Sequence, residues 1–509
     1  MSPGHDVQVR TSVSRDELLP RGHERGLRPA LTPPGSAQTR LQPRAFDDRL
    51  LTNEDGLAVT YYSDDFTGAT DVLEVLALAG IRTALFLRAP SREELRAHFS
   101  GLQACGVAGV ARTLSPTQAE KDVVPILAAI RRLEAPLFHY KICSTFDSSQ
   151  QIGNIGQAVR TVTRLFEAPV VPMIVGAPAL GRYCVFGDLF ARDGKEVFRL
   201  DRHPVMSRHP VTPMSEAHIP ALLAQQASLQ TEVIDVRHLA SGERTAEDAL
   251  KRAIDKSPDV LLFDVLDDSS LREVGRLLLK LLGQAWAKSQ SLPIFGSSGV
   301  EYALAAMGVG GEFPVRPPAY AWSVESAGQT LVLSGSRSGP TRRQIEYSLE
   351  HGFTGLPLDP IALSDPLSAP AEADRVRLAA LRLIDRGAQV ILYVDDEPDG
   401  RVTGDSLEIA RQMGELTRRI STQVSLQRVI VAGGDTSGAV ARALNLYALE
   451  MVSPVAPGAP LCRARSTDAG LDGLEVALKA GQVGADDYFV TVAGLSQRHD
   501  PPPLLAAEI

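Results

Sequence analysis

The stretch VIVAGGDTSGAV, residues 429–440, joins an apolar run to a loop of glycines, hydroxyls and one acid. A helix-like segment, residues 439–446, follows the loop. An apolar strand, a tight loop and a helix start together point backbone N–H groups at one place, which suits the binding of an anion such as phosphate. Glycine lets the backbone approach that anion closely, and Thr436 and Ser437 add hydroxyl donors. The stretch therefore predicts an α/β unit with a phosphate-binding loop behind a strand.

Length, composition and charge exclude several classes of protein. At 509 residues the chain exceeds one ordinary hydrophobic core, so we expect two or three domains. The hydrophobic fraction of 44% and the charged fraction of 22% are typical of globular proteins. The formal net charge of −9 gives no broad basic surface, so a nucleic-acid partner is not expected.

The cysteines and the hydropathy pattern indicate in which cellular compartment the protein is expected. Four cysteines are widely spaced and form no CxxC pair, which argues against a zinc ribbon and a disulfide framework. This usage fits a reducing compartment, and we predict a cytoplasmic protein. No apolar run approaches the roughly 18 residues that a membrane helix requires, so no membrane partner is expected.

From residue 57 onward, short apolar runs alternate with helix-like segments. Strand-like runs cover residues 58–62, 81–87, 107–111, 137–142 and 170–175 in the first half, and 330–333, 390–394 and 428–432 in the second. This alternation predicts two α/β domains with mainly parallel sheets. Ligand sites in such sheets lie beyond the carboxyl ends of the strands.

The same pass along the chain predicts the domain boundaries. Residues 1–54 lack apolar periodicity, so we predict a disordered tail; a transit peptide is the alternative, against which the acids of this segment count. Residues 176–214, rich in Gly, Pro, Arg and His, suggest a hairpin and then a long loop. Residues 308–318 hold three glycines and three prolines and suggest a linker. The first α/β domain is therefore expected at 55–315 and the second at 316–509.

Two carboxylates, Asp64 and Asp65, lie just beyond the first predicted strand, and Gly68 allows a tight turn behind them. Paired carboxylates at a strand end suit a general base, a metal ligand or acceptors for substrate hydroxyls. The alternative is a helix N-cap beside a solvated acid, because Asp caps helices well. We favour the functional interpretation.

A second polar stretch, YKICSTFDSS at residues 140–149, follows the strand-like run at 137–142. It combines Lys141, Asp147 and four Ser or Thr hydroxyls, a set that suits a polyhydroxylated anionic ligand. A Ser/Thr-rich turn without a ligand is the alternative. Cys143 need not be a nucleophile, since a cysteine in this position is more often a small buried hydrophobe.

Cations elsewhere in the first half are weaker candidates. Arg112 follows the run at 107–111, at the same level of the predicted sheet, and could clamp a carboxylate. Arg208 and His209 open the proline-rich segment RHPVTPM, residues 208–214, which we interpret as a substrate loop, with a purely structural loop equally compatible. No HExxH or similar spacing indicates a metal site there.

Further strand-to-loop transitions recur along the chain. GSSG at 296–299 is a candidate anion site in the first half, and LVLSGSRSG at 331–339 is a second hydroxyl-rich loop for the later domain. KAGQVG at 479–484 adds a cation and two glycines, or simply ends a helix. Walker-type GxxxxGK[ST], post-strand GxGxxG and GxSxG motifs are absent from the sequence, which weakens a P-loop enzyme, a dinucleotide dehydrogenase and a serine hydrolase.

Taken together, these segments resemble one known family, the four-carbon acid sugar kinases, which includes 3-oxo-tetronate, D-threonate and 3-oxo-isoapionate kinases. The matching pieces keep the family's order: SDDFTGATD (63–71), YKICSTFDSS (140–149), RHPVTPM (208–214), GSSGVEYAL (296–304), LSGSRSG (333–339), AGGDTSGAV (432–440) and LKAGQVGADDYF (478–489). The resemblance implies that the first domain binds the acid sugar, the second binds ATP, and an active-site cleft lies between them.

The resemblance also implies roles for individual residues. Asp64 or Asp65 would be the catalytic base. The substrate would contact Arg112, Lys141, Ile142, Cys143 and Ser144, to which our own interpretation adds Asp147, Arg208 and His209. ATP would contact Ser336, Gly433, Gly434, Asp435, Thr436 and Gly481, with Mg²⁺ bridging the phosphates and Asp435 as its ligand, directly or through water. The family more often has Glu at 435, Cys at 337 and KSGNFG at 479–484.

These observations predict an ATP-dependent kinase that phosphorylates a hydroxyl of a small acid sugar. Two other functions stay open: a non-catalytic sensor of sugar acids and nucleotides, and an NAD(P)-linked oxidoreductase of sugar acids. The choice among acid sugars depends on pocket shape and is not predicted. A homo-oligomer is compatible with the sequence but has no specific signal.

Overall fold

The computed structural model describes residues 51–209, 211–308, 328–394 and 404–495, all of which belong to the unit formed by residues 44–509. The predicted tail, apart from residues 51–54, lies outside the described residues. The predicted linker, apart from residue 308, lies outside them too. The boundary that we expect near residue 315 therefore stays a prediction.

Strands and helices alternate through the first half as the apolar runs predict. Their bounds are β1 (Val59–Ser63), α1 (Phe66–Leu78), β2 (Thr83–Phe86), α2 (Arg92–His98), β3 (Ala104–Ala108), α3 (Pro116–Arg131), β4 (Leu137–Lys141), α4 (Ile155–Phe166), β5 (Val171–Ile174), β6 (Arg182–Val185), β7 (Asp188–Asp193), β8 (Glu196–Arg199), α5 (Ile219–Ala227), β9 (Thr231–Ile234), α6 (Val236–Ala240), α7 (Glu243–Asp255), β10 (Val260–Phe263), α8 (Asp268–Trp286), β11 (Leu292–Gly296) and α9 (Gly299–Ala306). Short 3₁₀ turns lie at Ala111–Thr113, Pro178–Leu180, Leu200–Arg202 and Met206–Arg208.

The second half continues the alternation and adds a long hairpin. Its elements are β12 (Thr330–Ser334), α10 (Gly339–Glu350), β13 (Phe353–Leu358), α11 (Pro360–Ser364), α12 (Ala369–Asp385), β14 (Gln389–Val394), α13 (Ser406–Ser421), β15 (Arg428–Ala432), α14 (Gly434–Ala443), β16 (Leu446–Ala456), β17 (Ala459–Ser466), β18 (Glu475–Lys479) and α15 (Tyr488–Val492).

The main sheet has the strand order β13-β14-β12-β15-β18-β17-β16-β2-β3-β1-β4-β11-β5-β10-β9. All its pairings are parallel except those of β16 and β17, so the predicted α/β class with mainly parallel strands is confirmed. The sequence did not predict that strands of both halves would join in one sheet. The junction is short: β16 pairs with β2 at Ala448–Phe86 and Leu449–Leu85.

The central strands are buried at every position, as in β1, β4, β12 and β15. Such strands read as near-continuous apolar runs because helices cover both faces of a parallel sheet. The hairpin predicted within residues 176–214 is present and gains a third strand, giving the separate antiparallel sheet β6-β7-β8. Among the described residues, no helix is both long and apolar enough to span a membrane.

The register of the sheet aligns the strand ends that precede the polar loops. In the first half, Ala108, Ser63, Lys141 and Gly296 stand side by side on β3, β1, β4 and β11. In the second half, the aligned ends are Ser334, Ala432 and Lys479 on β12, β15 and β18. Each half thus presents its polar loops along one carboxyl edge.

Candidate active site

Two aspartates with different surroundings, Asp64 and Asp65, directly follow strand β1 at the carboxyl edge of the sheet in the first half. Asp65 is the N-cap of α1, and its Oδ1 accepts a hydrogen bond from the Gly68 amide at 2.9 Å. Asp64 is 5% exposed, and its own amide donates to the Lys141 carbonyl at 3.0 Å. Arg112, in the 3₁₀ turn after β3, bonds both carboxylates: Nη2 lies 2.8 Å from Asp64 Oδ1 and Nη1 lies 2.9 Å from Asp65 Oδ2. The structure therefore brings together three of the predicted residues.

The buried position of Asp64 changes its proton affinity. Burial raises the pKa of Asp64 to about 6, because the opposing effect of Arg112 is smaller and the neighbouring Asp65 adds repulsion. A carboxyl group with such a pKa is poised to take a proton near neutral pH. Of the two aspartates, Asp64 is the one with an oxygen, Oδ2, that makes no hydrogen bond within the described residues.

Lys141 ends β4 beside this pair and is 4% exposed. Its Nζ donates to the Ile142 carbonyl at 3.2 Å and lies 3.7 Å from Asp71 Oδ2 on α1. A Cβ added to Gly68 would lie 2.6 Å from Asp65 Oδ1 and 3.0 Å from Lys141 Nζ, so only glycine fits between these groups. Burial raises the pKa of Asp71, and Lys141 opposes that shift.

The residues of the loop after β4, from Ile142 to Asp147, differ in burial and in their hydrogen-bond partners. The Ile142 side chain is fully buried and its amide donates to the Gly296 carbonyl at 2.8 Å, so this residue can offer a ligand no side-chain contact. Thr145 Oγ1 donates to Asp147 Oδ1 at 2.7 Å and lies 2.9 Å from Cys143 Sγ. Burial raises the pKa of Cys143 to about 11, which keeps the thiol neutral and unreactive. Ser144 is half-buried.

Arg208 and His209 have local partners. The Arg208 amide donates to the Val205 carbonyl at 3.1 Å, and His209 Nδ1 accepts from the Thr212 amide at 3.1 Å. Within the described ranges, no hydrogen bond or ion pair connects either side chain to Asp64, Asp65 or Arg112. The structure thus gives the substrate role of these two residues no geometric support.

In the second half, three loops converge after β12, β15 and β18. The Gly433 amide donates to the Lys479 carbonyl at 2.9 Å, and the Ser336 amide donates to the Ala432 carbonyl at 3.2 Å. Ser338 Oγ and Thr341 Oγ1 donate to the Gly481 carbonyl at 2.5 and 2.7 Å. These bonds join loops that are up to 143 residues apart in sequence into one surface.

Close backbone approaches explain two glycines of this surface. A Cβ on Gly481 would lie 2.1 Å from Ser336 Oγ, and Gly433 has φ +119°, which side chains other than glycine rarely adopt. Helix α14 starts directly after Gly433, so the first-turn amides of the helix lack intrahelical acceptors. Gly434 and Asp435 are exposed at this start, whereas Thr436 is buried.

One cation of this edge is not among the nucleotide contacts that the sequence predicted. Lys479 is 2% exposed, and its Nζ donates to the Ala480 carbonyl at 3.1 Å and to Thr341 Oγ1 at 3.4 Å. Burial lowers the pKa of Lys479 to about 8. Its place before the glycines of 479–484 is the sequence signal that pointed to it.

The geometry defines an α/β protein with one edge rich in carboxylates, cations and hydroxyls and a second edge formed by glycine-rich loops, hydroxyls and the start of α14. A family model described as a sugar-binding N-terminal domain matches residues 59–304. A second model, a nucleotide-binding C-terminal domain, matches residues 331–489.

The relatives narrow this class further. The 3-oxo-isoapionate kinase of Paraburkholderia graminis is 40% identical over 452 residues, covering 85% of this chain and 93% of that protein. The 3-oxo-tetronate kinase of Pseudomonas savastanoi pv. phaseolicola is 29% identical over 442 residues, covering 84% and 94%. The chain belongs to the four-carbon acid sugar kinase family, as the sequence motifs predicted.

Solved structures agree in fold. A protein of Salmonella typhimurium LT2 superposes with a TM-score of 0.70 at 23% identity, covering 86% of this chain and 98% of that one. A Haemophilus influenzae protein gives a TM-score of 0.66 at 22% identity, covering 86% and 99%. At these identities the likeness establishes the fold alone.

Proposed function

We propose that the protein is an ATP-dependent kinase that transfers the γ-phosphoryl group to a hydroxyl of a small acid sugar, such as a 3-oxo-tetronate, threonate or 3-oxo-isoapionate. The observation that carries this proposal is the buried Asp64, held by Arg112 on the sheet edge of the sugar-binding half. The named activities of the relatives at 40% and 29% identity support the same reaction.

The second edge would bind the triphosphate of ATP. The amides of Gly434 and Asp435 begin α14, where the helix dipole favours negative charge. Gly433 and Gly481 would let the backbone come close to the nucleotide, while Ser336 and Thr436 would add hydroxyl donors. These are the residues that the sequence predicted, and their convergence supports that role.

Magnesium fits this edge as a partner of the phosphates. Among the described residues, no cluster of three or more His, Cys, Asp or Glu could hold a metal ion by itself. Mg²⁺ usually keeps several waters and uses one or two carboxylates together with substrate phosphates. The exposed carboxylate of Asp435, at the start of α14, would be its protein ligand. The ion would neutralise charge on the transferred group.

On the sugar side, Asp64 would accept the proton of the attacking hydroxyl. Its raised pKa and its Oδ2, which makes no hydrogen bond among the described groups, suit a base better than Asp65, both of whose oxygens are engaged. Arg112 would keep Asp64 oriented. Lys141, Cys143, Ser144 and Asp147 would surround the substrate hydroxyls.

Phosphoryl transfer requires close, in-line placement of both substrates and exclusion of water. Contact between the halves supports an active-site cleft between the two edges. Thr70 Oγ1 on α1 lies 2.9 Å from the Gly458 carbonyl and 2.9 Å from the Thr67 carbonyl of its own helix, so these two acceptors share its hydrogen. Glu74 on the same helix accepts from the Gly458 amide. The helix that begins at the aspartates is thus attached to the β16–β17 hairpin of the nucleotide-binding half.

Two further expectations belong to this proposal. The four cysteines are free thiols, which suits a cytoplasmic enzyme. A homo-oligomer stays a prediction.

The test is a substrate panel of four- and five-carbon acid sugars with ATP and Mg²⁺, read as ADP release. ADP formed only when an acid sugar is present supports the kinase. Melting shifts with sugar and nucleotide but without ADP would indicate the sensor. A nicotinamide absorbance change with the same sugars would indicate the oxidoreductase.

A further inference from the structure

The cations of the sugar-binding edge differ in how far their charge is already neutralised. Arg112 is paired with Asp64 and Asp65, and Lys141 lies 3.7 Å from Asp71. Arg182, the first residue of β6, pairs with Ala177, which follows β5 at the same carboxyl edge of the sheet. Among the described residues, no carboxylate lies within ion-pair distance of Arg182. Unlike Arg112 and Lys141, it therefore has no carboxylate partner there and can receive an anion.

Sheet order explains why Arg182 reaches this edge. The order β3-β1-β4-β11-β5 places the loop after β4 between the residues that follow β3 and those that follow β5. Arg112 lies on the β3 side. Arg182 lies on the β5 side, where its amide donates to the Ala177 carbonyl at 3.1 Å and its carbonyl accepts from the Ala177 amide at 2.9 Å. Arg112 thus follows a strand on one side of β4, and Arg182 follows a strand on the other side.

The Arg182 guanidinium is partly satisfied. Nη1 donates to the Leu180 carbonyl at 2.7 Å, whereas Nε is buried and has no acceptor among the described groups. Arg112 Nε is likewise buried without an acceptor there. A buried donor that lacks an acceptor costs free energy, which an incoming acceptor would recover.

Electrostatics place both guanidinium groups near the same loop. Burial lowers the pKa of Arg182, and the proximity of Cys143 and Asp147 acts in the opposite direction. Cys143 and Asp147 also act on Arg112. Two cationic groups, each with a buried Nε–H that has no acceptor among the described groups, are thus influenced by the same hydroxyl-bearing loop.

We propose that Arg182 binds the carboxylate of the acid sugar, beside the Cys143–Asp147 loop and opposite Arg112. This inference rests on the proposed function, and it assigns the carboxylate to Arg182 rather than to Arg112 or Lys141, the cations of this edge that the sequence had offered. A guanidinium matches a carboxylate in shape and can bond both oxygens, whereas the buried ammonium of Lys141 is committed to Asp71 and a backbone carbonyl.

The test compares Arg182→Gln with the wild type on an acid sugar that the wild type phosphorylates. Loss of a charge-assisted hydrogen bond should raise the KM for the acid sugar by roughly 10- to 100-fold. The KM for ATP should stay within about twofold, and Arg182→Lys should recover part of the loss. The matched control is Arg192→Gln on β7 of the same small sheet, whose Nη2 bonds the Tyr183 hydroxyl at 2.6 Å; it should leave both constants unchanged.

A second comparison separates carboxylate recognition from a structural effect. The wild type should prefer an acid sugar over its neutral amide, and in Arg182→Gln that ratio of kcat/KM should fall towards one. An unchanged ratio, or equal losses for ATP and sugar, would overturn the inference.

Failure of the proposed function has a different signature. If none of the acid sugars causes the wild type to release ADP, the kinase proposal fails. Binding of the same acid sugars is then measured by calorimetry without nucleotide. Binding that is lost in Arg182→Gln but kept in Arg192→Gln would still support the carboxylate site. Absence of binding to the wild type, or equal binding to both variants, would reject it.

Discussion

Two adjacent aspartates acquire different chemistry from their surroundings. Asp65 is a helix N-cap whose oxygens are both engaged, while Asp64 is buried and bonded to Arg112 through one oxygen. The sequence could place both residues beyond a strand, because an apolar run followed by acids and a glycine is a local signal. It could not distinguish them, because burial and the approach of Arg112 from 47 residues away are tertiary effects.

Replacing Asp64 by asparagine should remove the base while keeping shape and hydrogen-bonding capacity. We expect kcat to fall by roughly 10²- to 10⁴-fold, the usual contribution of a general base, with a smaller change in the KM for ATP. Asp65→Asn is the matched variant: Asn still caps the helix, so the loss should be smaller. Steady-state ADP release measures both, and full turnover by Asp64→Asn would show that Asp64 is not the base.

The pKa of Asp64, raised by burial to about 6, predicts the acid limb of the pH profile. A base acts only when it is deprotonated, so kcat/KM for the sugar should fall as pH drops through about 6 and should approach a tenfold decrease per unit below it. Calorimetric ATP binding over the same range separates titration of the nucleotide from titration of the enzyme. An acid limb that persists unchanged in the residual activity of Asp64→Asn would contradict this assignment.

At the scale of elements, repeated strand-loop-helix units build the nucleotide edge. β12, β15 and β18 end in register, so their three loops meet although the sequence separates them widely. The units at β12 and β15 were predictable, since an apolar run ahead of glycines and hydroxyls is a local pattern. The strand β18 was not predicted, because the KAGQVG segment was equally compatible with the end of a helix. Arg182 was not predicted, because it begins a strand of the small sheet and is held near the end of β5 only by its backbone pairing with Ala177.

Gly434→Ala tests the nucleotide edge without a protein clash. A Cβ at Gly434 would meet no atom within 4 Å, so the variant should melt at or above the wild-type temperature. A bound phosphate would meet the new methyl group, so the KM for ATP should rise by about tenfold or more if one favourable anion contact is lost. Gly283→Ala in α8, which is equally open, is the control. Unchanged ATP kinetics in Gly434→Ala would show that the Gly434 amide does not bind the phosphates.

At the scale of the whole molecule, the β16–β17 hairpin joins the two halves. It extends the main sheet through two residue pairs with β2, and its turn contacts α1 at Gly458. Local sequence patterns predicted the parallel halves correctly but not this connection, because antiparallel pairing between β16 and β2 joins residues more than 360 positions apart.

Thr70→Val removes, at nearly constant volume, the hydroxyl that the Gly458 carbonyl of the hairpin shares with the Thr67 carbonyl of α1. It leaves the buried Gly458 carbonyl without that donor, so the free energy of unfolding should fall by about 1–3 kcal/mol. Thr422→Val removes an exposed hydroxyl whose hydrogen bond within the described part of the chain is to the Arg419 carbonyl, and it should cost less. Chemical denaturation measures both, and equal stability of the two variants would mean that this contact does not hold the halves together.

The central claim is that the sugar edge and the nucleotide edge serve one phosphoryl transfer. The most direct measurement is mass-spectrometric detection of the phosphorylated acid sugar after incubation with γ-¹⁸O-labelled ATP and Mg²⁺, using the wild type and Asp64→Asn. We predict a labelled phosphoryl group on one acid sugar of the panel with the wild type, and a strongly reduced yield with Asp64→Asn. ATP consumption without a phosphorylated sugar, or equal product from both proteins, would contradict the account.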